Sequence, residues 1–181
     1  MVKTDIPYRT ALIVGAGPGI SASVARGLAS AGLKVGLAAR TVEKLVPLAT
    51  EIRAQTFAVD ASDPAAVARL FDDADTRLGE PDVVVYNAAT APAHGPIAEL
   101  DPEAVRKTIE ISAYGGFLVV QQAARRMIPY GRGAILLTGA SASVKGYPLS
   151  AAFAMGKFAL RGLARARRVS SGQRASTSRI S

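Results

Sequence analysis

The residues best placed to do chemistry lie near the start of the chain, in Val14-Gly15-Ala16-Gly17-Pro18-Gly19-Ile20-Ser21. Glycines between a strand and a helix let the backbone turn tightly and approach a pyrophosphate, which sits at the positive end of the helix. The G-x-G-x-x-G spacing fails at its last place, which holds Ile20; read as G-x-x-x-G-x-G, the run has Gly15 and Gly19, with Ser21 third. Glycine also serves any tight strand-to-helix turn, but in the first βα unit it favours a nucleotide site. Gly15, Gly17, Gly19 and Ile20 are therefore the candidate phosphate cradle. An acid at the end of the second strand would hold the 2′-hydroxyl of NAD. Here the strand ends Ala38-Ala39-Arg40-Thr41, with no acid before Glu43. A carboxylate would repel a 2′-phosphate, whereas a guanidinium can clamp one, so Arg40 points to NADP(H) over NAD(H). The plainer alternative for Arg40 is a surface arginine at a helix start.

These residues need a scaffold, and the hydrophobic pattern supplies one. Short apolar runs at 11–14, 34–39, 56–59, 83–86 and 134–137 read as strands. Between them, helical spacing runs over 21–31, 42–53, 64–78 and from Asp101-Pro102 to about Met127, with a further helix from Ala151 to about Arg167. Asp63 and Pro64 form a helix-start signal, and Gly79-Glu80-Pro81 a stop. Strands alternating with helices mean right-handed crossovers and a parallel sheet covered on both faces. The expected fold is a doubly wound α/β domain of about five strands, Rossmann-like, over residues 1–168.

Composition narrows the function. The chain has 181 residues, enough for one domain, with 49% apolar and 20% charged residues, which excludes a disordered chain. Without cysteine, disulfides, thiolate zinc sites and cysteine nucleophiles are excluded, and one histidine, His94, leaves no imidazole cluster for a metal. No apolar run is long enough to span a membrane, and the first ten residues lack a signal-peptide pattern, so a cytoplasmic location is expected. The net charge of +8 comes mostly from six arginines after Leu160, with no acid among them. The body is nearly neutral, so no nucleic-acid partner is expected.

In this order the motifs resemble the short-chain dehydrogenase/reductase family, over residues 8–168. Gly15–Ser21 matches the family's glycine motif, with Ser21 in the third glycine's place. The resemblance implies that Asp60 contacts the adenine ring. It implies that Asn87, in Tyr86-Asn87-Ala88-Ala89, steadies the sheet beside the cofactor. Leu136–Ser143 and then Phe153-Ala154-Met155-Gly156-Lys157 fall where the family keeps its serine and its Tyr-x-x-x-Lys. The implied function is an NADP(H)-dependent oxidoreductase acting on a carbonyl or secondary alcohol of a small molecule, with Lys157 binding the nicotinamide ribose.

Three of the four chemical positions depart from that pattern. The tyrosine position holds Phe153, the serine position Ala140 with Ser141 and Ser143 alongside, and the helical asparagine position Ser112. General acid–base catalysis contributes about 10²–10⁴-fold, so the missing phenol matters. Candidate substitutes are Ser141, Ser143, Tyr147 and His94, and the catalytic set is read as Lys157, Ser141 and Tyr147. The alternative is a catalytically impaired dinucleotide-binding protein, a sensor, scaffold or truncated product.

Apolar periodicity ends near Val169, and residues 169–181 read as a basic, non-native-looking tail. A shifted reading frame over that stretch resembles the family's lead-in to a sixth strand, so a frame slip near residue 168 is expected. Five strands would leave the fifth as an exposed edge. The family pairs subunits through the helices corresponding to 101–127 and 151–168, and self-association is expected.

Overall fold

The computed structural model describes residues 7–90 and 93–166; the expectations for the basic tail lie outside them. Five strands, β1 (Thr10–Val14), β2 (Lys34–Ala39), β3 (Gln55–Ala58), β4 (Val83–Tyr86) and β5 (Ala134–Leu137), form one parallel sheet in the order β3-β2-β1-β4-β5. Among the described residues six α-helices connect and cover them: α1 (Ile20–Ser30), α2 (Val46–Ile52), α3 (Pro64–Arg77), α4 (Pro102–Ile109), α5 (Gly115–Tyr130) and α6 (Ala151–Arg165). This is the doubly wound, Rossmann-like sheet that the alternating pattern predicts.

Burial follows the strand period. On one face Leu12, Val14, Val84 and Tyr86 pack against Val67, Leu70 and Phe71 of α3 and Leu118, Val119 and Ala123 of α5. On the other, Ala11, Ile13, Val35, Leu37 and Val85 meet Ala22 and Ala25 of α1 and Leu48 of α2. The central strands β1 and β4 are buried at every residue, whereas β5 is half-buried throughout and pairs only with β4 among the described residues. Arg126 of α5 ties down α3, bonding Asp72 and Asp75 at 2.8 Å each and lying 5.1 Å from the Phe71 ring centre.

The amino end of the sheet is held by a buried carboxylate. Asp82, 8% exposed, accepts from the backbone N–H of Arg9 at 2.7 Å and of Thr10 at 3.3 Å. Arg132, just before β5, reaches its other oxygen at 3.1 Å. Thr10 Oγ1 accepts from Asp82 N at 3.0 Å and donates to Glu80 O at 2.6 Å.

Two helices differ from the periodic reading. The expected helix 42–53 is a 3₁₀ turn, Val42–Leu45, followed by α2. Pro47 has no N–H to give to a preceding turn, so it fits only the first turn of a new helix. The expected single helix from 101 to 127 is α4 and α5 joined by a π-helical segment, Glu110–Tyr114, and it runs on to Tyr130. Pro129 is tolerated in the last turn, and Gly131, at φ 62°, closes it in the left-handed conformation. The signalled caps form: Asp63 accepts from Ala65 N at 2.8 Å, and Asp101 from Glu103 N at 3.1 Å.

Candidate functional site

β1 lies between β2 and β4, and the crossover from β3 to β4 carries the chain from one side of it to the other. Ligand crevices form at such switch points, beyond the carboxyl ends of the strands. Here the crevice is a cleft of about 350 Å³, with Gly15, Gly17, Gly19, Arg40, Asp60 and Asn87 in its lining.

Its floor is the turn after β1. Gly15 sits at φ +83°, and its N–H donates to Ala38 O at 2.9 Å. A Cβ built there would lie 2.2 Å from Ala88 N, so the turn and the segment after β4 touch backbone to backbone. Asn87 fastens that contact: its N–H donates to Val14 O at 2.8 Å and its Nδ2 to Gly15 O at 3.2 Å. Ser21 is buried beneath the turn, where its Oγ accepts from Gly17 N at 2.9 Å and donates to Gly17 O at 3.1 Å. The hydroxyl thus closes the loop from within. By contrast, a Cβ at Gly17 or Gly19 would meet no atom within 4 Å.

The electrostatics of this end favour an anion. No side chain caps α1, and no acid lies in its first turn, so its positive end stays unneutralised. Arg40, at the end of β2, is exposed in the lining. Asp60 accepts from Ser62 Oγ at 2.6 Å and Ser62 N at 2.9 Å. Those bonds, aided by the Arg40 charge, hold its carboxyl below the usual aspartate range. Ile20, counted with the cradle from sequence, is 63% exposed, and its side chain is not in the lining.

The residues expected to react form a second group. Lys157 of α6 is 5% exposed, and its Nζ donates to Thr138 O at 2.8 Å. Thr138 N in turn donates to Tyr86 O at 3.0 Å, which anchors the amine beside the end of β4, next to Asn87. Burial pulls the Lys157 ammonium below the usual lysine pKa. The Phe153 ring lies 5.6 Å from Nζ and brings no hydroxyl. Ser143 is buried, its Oγ accepting from Ala140 N at 3.1 Å, whereas Ser141 is exposed at the start of the 3₁₀ turn Ser141–Ser143. Tyr147 is 40% exposed, with Lys145 Nζ 4.9 Å from its ring centre. His94 is exposed in the loop after β4, which Gly95 N joins to Leu149 O at 2.9 Å. The structure therefore brings Gly15, Gly17, Gly19, Arg40, Asp60 and Asn87 around one cleft, without the Ile20 side chain. It gives Ser141, Tyr147 and His94 no hydrogen bond to Lys157 among the described residues.

Sequence reading missed the π-helical segment. It places Ile111 in the cleft wall and Ser112, 2% exposed, against α6, where a Cβ at Gly156 would lie 2.7 Å from Ser112 Cβ. The signal that could have found it is the pair Gly115-Gly116 inside an otherwise regular helical pattern.

A Rossmann-like sheet with an open glycine turn at its switch point defines a nucleotide-cleft architecture, and comparison with known proteins makes this specific. The family model described as short chain dehydrogenase matches residues 9–175. The chain belongs to that family. It is 32% identical over 158 residues to versicolorin reductase of Emericella nidulans, covering 84% of this chain and 59% of that protein. Among solved structures, a short-chain dehydrogenase from Rhodopseudomonas palustris superposes with a TM-score of 0.80 at 34% identity, over 87% of this chain and 76% of that one. A variant of actinorhodin polyketide ketoreductase with NADPH gives 0.84 at 29%, over 88% and 63%. NAD⁺-bound xylitol dehydrogenase gives 0.83 at 27%, over 86% and 62%. The chain spans 44% to 65% of the length of four curated relatives it matches. Among the described residues no helix is long and apolar enough to cross a membrane.

Proposed function

We propose that the chain is the cofactor-binding part of an NADP(H)-dependent oxidoreductase that acts on a carbonyl or secondary alcohol of a small molecule. The observation that carries this reading is the open space over Gly17 and Gly19 at the uncapped end of α1, with Arg40 in the same cleft. That donor set suits a diphosphate and a further phosphate. The backbone of the turn and the α1 terminus hold the diphosphate, and Arg40 clamps the 2′-phosphate. Asp60 takes the base, and Asn87 keeps the turn in place. Similar proteins hold NADPH in one case and NAD⁺ in another, so the preference for NADP(H) rests on Arg40. When bound, the nicotinamide exchanges a hydride with substrate carbon. Lys157 has N–H donors beyond the one given to Thr138 O, and these bind ligand hydroxyls.

The test is a thermal melt with NADPH and NADH side by side. A ligand that binds only the folded form stabilises it by about 2.7 kcal/mol at a hundred times its Kd. A shift with NADPH and little with NADH is expected. Equal shifts would remove the role of Arg40, and none would remove the cofactor site.

One observation favours a second reading. Phe153 sets a bare ring beside Lys157 where the family's pattern has a phenol, so the cleft holds a dinucleotide without efficient proton transfer. Phe153→Tyr with Ala140→Ser separates the two. A gain in carbonyl reduction supports the impaired site, and loss of an existing activity supports different chemistry. Self-association belongs to the same proposal: Tyr114 and Phe117, stacked at 6.4 Å, and Met155 and Phe158 are 43–52% exposed along the π segment, α5 and α6. Sedimentation should give a dimer or larger species; a sharp, stable monomer would refute it.

A further inference from the structure

Among the described residues Tyr86 is the largest fully buried side chain, at the last position of β4. Its ring occupies space left by two consecutive glycines. A Cβ at Gly115 would lie 2.5 Å from Tyr86 Oη, and one at Gly116 would lie 3.3 Å from Tyr86 Cε1. The start of α5 therefore rests directly on the phenol. Its hydroxyl donates to the carbonyl of Ile111, within the π-helical segment. A π segment carries one residue more than a regular turn, and such single turns inside α-helices are frequent at functional sites. Here Gly115 N–H reaches back five residues to Glu110 O, and the next carbonyl is the one the phenol takes.

The same hydroxyl stands behind the cleft. Ile111, Asp60 and Ala61 are all in the lining. The Gly115 Cβ position that would press on Tyr86 Oη is also 2.7 Å from Ala61 O. Burial raises the pKa of Tyr86, and the negative charge of Asp60 raises it further, which favours the protonated, donating phenol.

We propose that Tyr86 is a positioning residue of the cleft: its bond to the Ile111 carbonyl fixes the π turn so that Ile111 stands across from Asp60 and Ala61 and sets the width of the pocket for the ligand's purine base. This rests on the reading of the cleft as a dinucleotide site. Tyr86 itself touches no ligand and acts only through Ile111.

Tyr86→Phe removes one oxygen and keeps the ring. Its test measures Kd for NADPH, for adenosine 2′,5′-bisphosphate and for reduced nicotinamide mononucleotide, beside the melt without ligand. The expected result is a loss of about tenfold for the two adenosine ligands, the scale of one hydrogen bond with its acceptor left buried. The mononucleotide should be unaffected. Ile111→Ala should show the same selectivity, and the double variant should lose little more than either single one. A lower melting temperature with unchanged Kd values would make Tyr86 a core residue only and overturn the proposal. So would an equal loss for all three ligands. On the unaltered protein, the Tyr86 hydroxyl proton should be visible by NMR and should shift on adding adenosine 2′,5′-bisphosphate; a resonance that stays put overturns the proposal without any variant. Should the unaltered chain bind neither adenosine ligand, the dinucleotide reading itself fails, and that failure shows before any substitution is made.

Discussion

Replacing Gly15 by alanine separates what the glycine turn does for the fold from what it does for a ligand. The new methyl would lie 2.2 Å from Ala88 N and 2.3 Å from Ala88 Cα, atoms that cannot rotate away. Three costs add. The left-handed backbone at φ +83° costs a residue with a Cβ about 1 kcal/mol. Parting the turn from the segment after β4 is overpacking, at about 1–3 kcal/mol. Moving Asn87 off Gly15 O weakens a hydrogen bond worth about 1 kcal/mol. Loss of glycine's freedom in the unfolded chain returns about 0.4–1 kcal/mol. The net is about 3 kcal/mol, a fall in melting temperature of roughly 6–12 °C at this chain length. Gly17→Ala is the control, since its methyl meets nothing within 4 Å. It should change stability by less than about 0.5 kcal/mol, yet weaken dinucleotide binding by filling the space over the turn. Urea unfolding of both variants, with and without NADPH, is the assay. A Gly15→Ala protein as stable as its parent would refute the backbone-contact argument. A Gly17→Ala protein that binds NADPH normally would refute the placement of the diphosphate.

Arg40→Ala should weaken NADPH about 10–100-fold, the scale of a charge-assisted contact, and leave NADH within about twofold; parallel losses by titration calorimetry would show that Arg40 does not read the phosphate. Lys157 gives a pH signature. Its folded pKa lies below the ordinary lysine value of 10.5, so between the two the unfolded chain binds more protons and the stability of the fold rises with pH. Measured against Lys157→Met, the parent should therefore gain ground as pH rises from the lowered folded value towards 10.5, and a constant difference would contradict the burial. Asp60 works the other way: its lowered pKa stabilises the fold above the ordinary aspartate value, and that gain is lost as pH falls through the folded value. Asp60→Asn should flatten the acid limb of the stability profile, and an unchanged limb would count against the Ser62 bonds.

Strands were the legible part of the sequence because their apolar runs are continuous and bounded. Lys34–Ala39, Val83–Tyr86 and Ala134–Leu137 form with the limits the pattern predicts. Helices were legible where caps are local, as at Asp63-Pro64, and illegible where a distant partner decides. Near residues 110–114 only the pair Gly115-Gly116 hints at a π turn; its partner is a phenol contributed by β4, some 25 residues earlier in the chain. The cradle residues and Arg40 could be named because glycine and arginine act through backbone shape and charge, which spacing reveals. The reacting group was harder. Ser141 and Ser143 are two residues apart, yet one is exposed and the other buried in a bond to Ala140 N, a difference set by the 3₁₀ turn that holds them.

Asp82 gives the molecule a stapled end and a working end. The carboxylate gathers β1, β4 and the approach to β5 at their amino termini, some four residues of strand away from the cleft. Rigidity is thus anchored away from the cleft. At the opposite end the Gly15 turn and Asn87 are tied backbone to backbone, and the exposed residues between β5 and α6 are left out of that tie. Ser141 and Tyr147, exposed between β5 and α6, lie at that other end, where a side chain can be exchanged without touching the Asp82 staple.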